Sequence, residues 1–428
     1  MKKKLILFFT LLFAFSALLM TACSGDAPSA PTAVPVTDAP ATQTPETPRA
    51  ETFAFGERFG AAIKTDGSLW TWGSNRYGQL GNGTRMDSPV PVKVMDDVVA
   101  VSCGNYHTAA IKSDGSLWTW GSNWWGQLGN GREGNARESD YSELLLQTVP
   151  VKVADDVARV FCGATDTICL RSDGVLLYAV ENEFWTGLLG GDHGVFRAIM
   201  TGIKDVCRGY GCGVIREDDS LWMWGNNTCG QLMTGGTGAV QEPVKVMEDV
   251  LLCACTPNAT AVVKKDGSLW TCGANDHGEL GNGGGFDISD GSGHGFTVTP
   301  VHIMDGVKEV RAGDHFFTAL TRDGGVFTWG SNELATLGVS LAYPGTLSDG
   351  SGMPYIPFPV RIAEDAVGVD CGFWNAGLLK SDGSLLIWGT ASDGALGNGS
   401  EGDLTDVYGR KLQTFPTPVF EAGTILFR

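Results

Sequence analysis

The side chains able to ligate a metal or attack a substrate are few: 11 Cys and six His in 428 residues. Cys103, Cys162, Cys255 and Cys371 share one register, the position filled by Cys103 in VSCG. A disulfide needs Cα atoms within about 7 Å. Equivalent positions of successive units in a closed ring are spaced more widely, so small buried thiols are the expectation. Neither Cys207 with Cys212 nor Cys253 with Cys255 has the Cys-x₂-Cys spacing of a zinc site. His107, His193, His277, His294, His302 and His315 scatter over different registers. No Ser-His-Asp, Cys-His or clustered-His spacing emerges, so no catalytic residue, metal site or cofactor is expected. The prominent acids, Asp66, Asp114, Asp173, Asp218, Asp266, Asp323 and Asp382, recur in turns rather than as acid–base pairs.

Those turn acids are separated by 48, 59, 45, 48, 57 and 59 residues, which marks seven units of about fifty residues over 51–428. The phrase is AAIKTDGSLWTWGSNRYGQLGNG from Ala61 and AAIKSDGSLWTWGSNWWGQLGNG from Ala109, with weaker copies from Ile168, Gly213, Ala261, Thr318 and Gly377. Asp-Gly between short apolar runs signals a hairpin, with positive φ expected at both turn residues. An upstream pair of strands, as in PVKVMDDVVAVSCG, makes four strands per unit. Nine of the 13 Trp occupy two registers, Trp70, Trp118, Trp222 and Trp270 at one and Trp72, Trp120, Trp224, Trp329 and Trp388 at the other. Two residues apart on a strand, both rings face the same way and can fill the wedge between twisted sheets.

Seven four-stranded antiparallel sheets packed radially make an all-β, seven-bladed β-propeller. The phrase DGxLWxWGxNxxGQLGNG, with Gly104-Asn105-Tyr106-His107 before it, resembles the repeat of the regulator of chromosome condensation family over essentially all of 51–428. That resemblance implies the same seven-bladed fold. Unit three, with Leu176 to Val180 in place of the Trp-Gly ending, and unit four, with Asp218-Asp219 in its turn, should be the least regular. The first unit lacks a preceding PVKV strand, so the C-terminus is expected to supply it, with Thr424 to Phe427 beside Phe53 to Phe55.

The first fifty residues have another character. Lys2, Lys3 and Lys4, an apolar run from Leu5 to Met20 and then Thr21-Ala22-Cys23 lay out a secretory signal that resembles a bacterial lipobox. The expectation is a lipoprotein signal peptide over 1–22, lipidation of Cys23, a Pro/Thr/Ala-rich tether over 23–50 and the propeller over 51–428. The domain then stands on the extracytoplasmic side, held to the cell membrane through its lipid alone.

Lys+Arg 30 against Asp+Glu 48 gives a net charge of -18, which argues against a nucleic-acid partner. Four segments interrupt the repeat at one register, Arg132 to Val149, Gly284 to Thr299, Val339 to Phe358 and Ser400 to Phe415. Insertions at one register emerge on one face of a disc, and such faces often bind. The candidate partner-binding residues are Asp140, Tyr141, Glu143, Phe286, Asp287, Phe296, Tyr343, Tyr355, Phe358 and Tyr408. Aromatic anchors beside carboxylates suit a protein surface of basic or mixed charge. The reading is a monomeric, non-catalytic, surface-anchored platform for a protein partner, in one concrete form an inhibitor of an extracellular enzyme. The alternatives are a carbohydrate-processing or other hydrolytic enzyme with its site at the central channel, or a scaffold of an envelope complex. The enzyme would need convergent polar groups on the inner strands, which read Cys, Ala and Val.

Overall fold

The computed structural model describes residues 51–131, 136–138, 141–179, 194–207, 211–289 and 295–425. Cys23, the signal and the tether lie outside that set. Within it the chain forms seven antiparallel sheets arranged as a seven-bladed propeller; each has a four-stranded meander, and in four of them a short strand inserted before the outer strand pairs on its far side. Blade one runs Phe53–Phe55, Phe59–Ile63, Leu69–Gly73 and Ser88–Met95 from axis to rim. Its outer strand therefore comes from PVKV, which the sequence reading had given to the following unit.

The hairpin turns are not of the primed type. Gly67 has φ 79°, whereas Asp66 is not among the residues with positive φ. The Gly67 N–H donates to the Lys64 carbonyl and the Lys64 N–H to the Ser68 carbonyl, both at 2.9 Å. This is a three-residue loop in which glycine alone takes the left-handed conformation. Asp66 earns its place differently: its Oδ1 accepts from the Ser68 N–H at 2.9 Å and from the Ser68 hydroxyl at 2.5 Å. The Ser68 oxygen in turn accepts from the Trp70 indole at 2.8 Å.

The two tryptophan registers thus part company. Trp70, Trp118, Trp222 and Trp270 are half-buried, and each donates its indole N–H to a turn serine. Trp72, Trp120, Trp224, Trp329 and Trp388 are fully buried between blades. Four of them donate to the preceding blade: Trp72 to Ala395, Trp120 to Gln79, Trp329 to Glu279 and Trp388 to Thr336, always to the carbonyl in the Gln register of GQLG. That loop is itself fixed by the side chain of a preceding Asn, as where Asn75 Oδ1 accepts from the Leu80 N–H at 3.0 Å.

The irregularity expected of units three and four falls on three alone. Blade three has an outer strand of four residues, Arg197–Met200, while blade four keeps eight, Val240–Met247. In blade four's turn Asp219 adopts φ 61° in glycine's place, and its carboxylate binds Lys204 and Lys265.

Closure also departs from expectation. Among the described residues the C-terminal segment adds no strand to Phe53–Phe55, which pairs there only with Phe59–Ile63. Instead Ile425 forms an isolated bridge with Lys64 and is fully buried among Phe53, Phe55 and Trp72 of blade one and Leu379, Ile387 and Phe420 of blade seven. The ring closes by side-chain packing, with Phe427 outside the described residues.

Candidate functional site

In a meander, the first and third turns emerge at the same end of the sheet. The turn after Gly104, between the two inner strands, and the GQLGNG segment with its insertions therefore share one face. Each insertion extends its own blade there by a fifth strand: Ala136–Glu138, Ile288–Ser289, Leu347–Ser348 and Leu404–Thr405 pair with the outer strands of blades two, five, six and seven. Blades one, three and four, without insertions, have four strands.

The candidate residues divide on this face. Asp140 lies outside the described residues, as do the side chains of Tyr141 and Glu143, whose backbone begins the outer strand of blade two. Tyr408 is 67 % exposed beside Val407 at 93 %, Phe286 is 50 % exposed, and Asp287 and Phe358 are also exposed. Tyr343 and Tyr355 are half-buried, Tyr343 against the blade-six core that holds Phe316 and Ile356. Phe296 corrects the expectation: it pairs with both Ala274 and Ile288, and the added strand that makes the insertion covers it to 5 % exposure.

Several insert acids serve their own loops. Asp349 Oδ1 accepts from the Ser351 and Met353 N–H groups at 2.8 and 2.9 Å. Asp403 binds both the N–H and the hydroxyl of Thr414, and Asp406 binds Arg410, which also reaches Glu333 at 2.7 Å.

The scatter of histidines does not survive folding. His277 from the blade-five loop and His315 from the first turn of blade six lie with ring centroids 4.8 Å apart. Glu279, 1 % exposed, sits beneath them. Its Oε1 is 3.1 Å from His315 Nδ1 and 3.4 Å from His277 Nδ1, and its Oε2 accepts from the His277 N–H at 2.9 Å. On the far sides, His277 Nε2 is 3.2 Å from Asp349 and His315 Nε2 is 3.7 Å from Asp314. Burial opposes ionisation of Glu279, yet the hydrogen bonds and charges of the two imidazoles hold its carboxyl well below the usual range. Burial likewise works against a charged His315, but Glu279 and Asp314 lift it to about 9. Burial opposes a charged His277 as well, and Glu279 and Asp349 move it upward. Burial pushes the Asp314 carboxyl up. Two imidazoles and a carboxylate whose ligand atoms lie within 4.8 Å of one another form a donor set for a transition-metal ion. The signal in the sequence was the GELG of blade five where blades one and two have GQLG.

Sequence reading also missed the charged channel. Arg159 of blade three pairs with Asp205 of blade four at 2.7 Å. Arg311 pairs with Glu309 at 2.7 Å and faces Asp370 of blade seven at 3.5 Å. Asp370 Oδ2 also accepts from the Phe55 N–H at 2.9 Å, and Ser102 Oγ from the Cys162 N–H at 3.0 Å. Side chains in one register thus satisfy the open edge of the next blade's inner strand.

At that axis the blades approach more closely than the ring argument allowed. Cys207 and Cys253, on adjacent inner strands, form a disulfide with Cα atoms 5.3 Å apart. They stand one register apart, so the argument from equivalent positions did not apply to them. Burial raises the free thiols of Cys255, Cys169 and Cys272 to about 11, 12 and 12, which removes their thiolate at neutral pH.

With that geometry in hand, the chain matches the regulator of chromosome condensation (RCC1) repeat over residues 66–111 and 114–170, and a second form of that repeat over 52–79 and 307–334. It is 26 % identical to the human E3 ubiquitin-protein ligase HERC2 over 186 residues, 41 % of this chain and 4 % of that protein. The Ultraviolet-B receptor UVR8 of Arabidopsis thaliana is 49 % identical over 57 residues, 12 % of this chain and 13 % of the receptor. The chain thus matches only a small part of the length of these relatives. Prp20p of Saccharomyces cerevisiae superposes with a TM-score of 0.67 at 18 % identity, covering 84 % of this chain and 87 % of that one. Human WBSCR16 gives 0.60 at 21 % identity over 77 % and 86 %. Regulator of chromosome condensation repeats thus match within 52–170 and over 307–334, and the chain folds as a seven-bladed propeller similar to these structures.

Proposed function

We propose that the protein is a non-catalytic binding platform, anchored at the cell surface through lipidated Cys23, that engages a protein partner with the insert-bearing face of its propeller. One observation carries the reading: four insertions at one register become four added strands on one face, and their tips expose Phe286, Leu347, Phe358, Val407 and Tyr408. Water-exposed aromatic and aliphatic side chains beside carboxylates are what a protein interface buries. Proteins with this repeat fold bind proteins, as the yeast relative Prp20 binds Kap60. Inhibition of an extracellular enzyme is one form such binding takes, because a rigid disc carrying aromatic loops can cover an active-site cleft.

The test is capture from envelope extracts by the intact protein and by a variant whose insertions are replaced with the short connector of blade one, residues 81–88. A captured protein, once purified, should bind the intact form and lose at least tenfold in affinity for the trimmed one. Equal affinity for both would remove the insert face from the interface.

A further inference from the structure

We propose that His277, Glu279 and His315 form a Zn²⁺-binding site that clasps blades five and six. The argument starts from the repeat itself. At the junction of blades one and two, the corresponding residues are Tyr77, Gln79 and Tyr106. The Tyr77 and Tyr106 rings lie 4.8 Å apart, the same spacing as the His277 and His315 rings. Gln79 Oε1 accepts from the Tyr77 N–H at 2.9 Å, and Gln127 and Gln231 do the same for Trp125 and Cys229. Where this register holds Gln, the loop uses one neutral acceptor oxygen, and blade seven forms it with Ala395, so no charge is required there.

Glu279 keeps that bond through Oε2 and adds a second, negatively charged oxygen at a site 1 % exposed. Burying a carboxylate is costly without a cation. Here the neighbouring aromatic register is changed on both sides to imidazole, and both Nδ1 atoms are directed at the added oxygen.

The geometry suits a small tetrahedral ion. With Zn–N and Zn–O bonds of about 2.0–2.1 Å, donors of a tetrahedral site stand about 3.3 Å apart. Oε1 to the two Nδ1 atoms measures 3.1 and 3.4 Å, so the two carboxylate–imidazole edges already stand at that spacing, and all three ligand atoms lie within 4.8 Å of one another. The far nitrogens supply a second observation. A metal-bound imidazole characteristically gives its other N–H to a carboxylate. His277 Nε2 faces Asp349 at 3.2 Å, and His315 Nε2 faces Asp314 at 3.7 Å. Asp349 belongs to the insertion of blade six, so the loop growth completes the outer ring of the site. Nitrogen donors in the majority favour Zn²⁺ over Ca²⁺ or Mg²⁺, which take oxygen. The imidazoles are about 30 % exposed, which leaves a path for the ion to enter.

The experiment is a calorimetric titration of the chelator-treated protein with Zn²⁺ alone, and with Mg²⁺ alone, alongside thermal melts. The comparison variant is His277→Tyr/Glu279→Gln/His315→Tyr, which recreates the residues of the blade one–two junction and so retains a packing this fold already uses. The expected result is one saturable Zn²⁺ site per chain, a Tm raised by Zn²⁺ and not by Mg²⁺, and affinity at least 100-fold weaker in the variant. Asp349→Asn, which keeps the Oδ1 acceptor for the Ser351 and Met353 N–H groups and among the three ligands faces only His277, should weaken binding by about 10–100-fold. Absence of saturable binding would reduce the cluster to a carboxylate–imidazolium pair. Undiminished binding by the folded triple variant would place the ion elsewhere. Either result overturns the proposal.

Discussion

The indole N–H of Trp120 in blade two donates to the Gln79 carbonyl of blade one at 2.9 Å, across the wedge that separates the two sheets. Its strand neighbour Trp118 donates to Ser116 of its own blade instead. Trp120→Phe removes one of two donors to the buried Gln79 carbonyl, which keeps the Thr108 hydroxyl at 2.8 Å, so the lost bond costs about 1 kcal/mol on top of the packing lost by a fully buried ring. Trp118→Phe removes a donor from the Ser116 hydroxyl, which still donates to Asp114 at 2.5 Å, and because the ring itself is only half-buried the change should cost under about 1 kcal/mol. Urea melts of the two variants check the contrast, and equal losses would show that the ring is not latched through this register.

His107 carries a pH dependence of known sign. It is fully buried, its Nε2 lies 2.9 Å from Thr167 Oγ1, and burial lowers its pKa to about 4. The unfolded chain takes up this proton near pH 6.5 and the native one only near 4. Between those values the unfolded state holds more protons, so stability must fall as pH drops. The loss totals about 3 kcal/mol across that window and levels off below it. Phe59 and Phe316 fill the same register in blades one and six, so His107→Phe should fold and lose this part of the acid slope. Stability-versus-pH curves that run parallel for the two proteins between pH 6.5 and 4 would contradict it.

These two residues show where the sequence is informative. Trp120 and Asp66 recur at fixed registers because every blade must solve the same packing and turn problem, so their spacing announces seven blades. Even there the detail escaped: only the hydrogen bonds reveal that Trp118 and Trp120 do different things. His277, Glu279 and His315 are unique to one junction, and Glu279 meets His315 across 36 residues of chain. No periodicity marks such a meeting. The Gln to Glu change in GELG was visible, but its meaning depends on which turn of the next blade lies above it. Phe296 failed in the opposite way. An insertion looked like pure surface, yet its added strand turned one of its own aromatics into core.

The Cys207–Cys253 disulfide joins the inner strands of blades four and five across 46 residues. Closing a loop of that length in the unfolded chain stabilises the native state by about 4 kcal/mol in the chain-entropy picture. Reduction should therefore lower the melting temperature by several degrees without dissociating the propeller, since the blades remain contiguous in sequence. Alkylation followed by mass spectrometry should show two fewer reactive thiols before reduction than after it. An unchanged thiol count would remove the bond, and an unchanged melt would remove its contribution.

Closure of the ring depends on a single buried side chain past the last strand. Blade seven ends its outer strand at Phe420, and the chain then turns so that the Ile425 N–H donates to Gly383 at 3.3 Å and Thr424 accepts from the Thr65 N–H at 3.1 Å. Ile425 thereby fills the seam between the last blade and the first, against Phe55 and Trp72. Ile425→Ala leaves a cavity there and should cost about 2–5 kcal/mol, the usual range for an emptied core site. A chain ending at Phe420 keeps every strand of both blades yet loses the plug, so it should melt at least as early as Ile425→Ala. A chain ending at Phe415 also cuts the outer strand of blade seven and should be the least stable of the three. If the chain ending at Phe420 melted with the intact protein, the seam would be held without Ile425, by contacts such as the Trp72 bond to Ala395 and the Phe55 bond to Asp370.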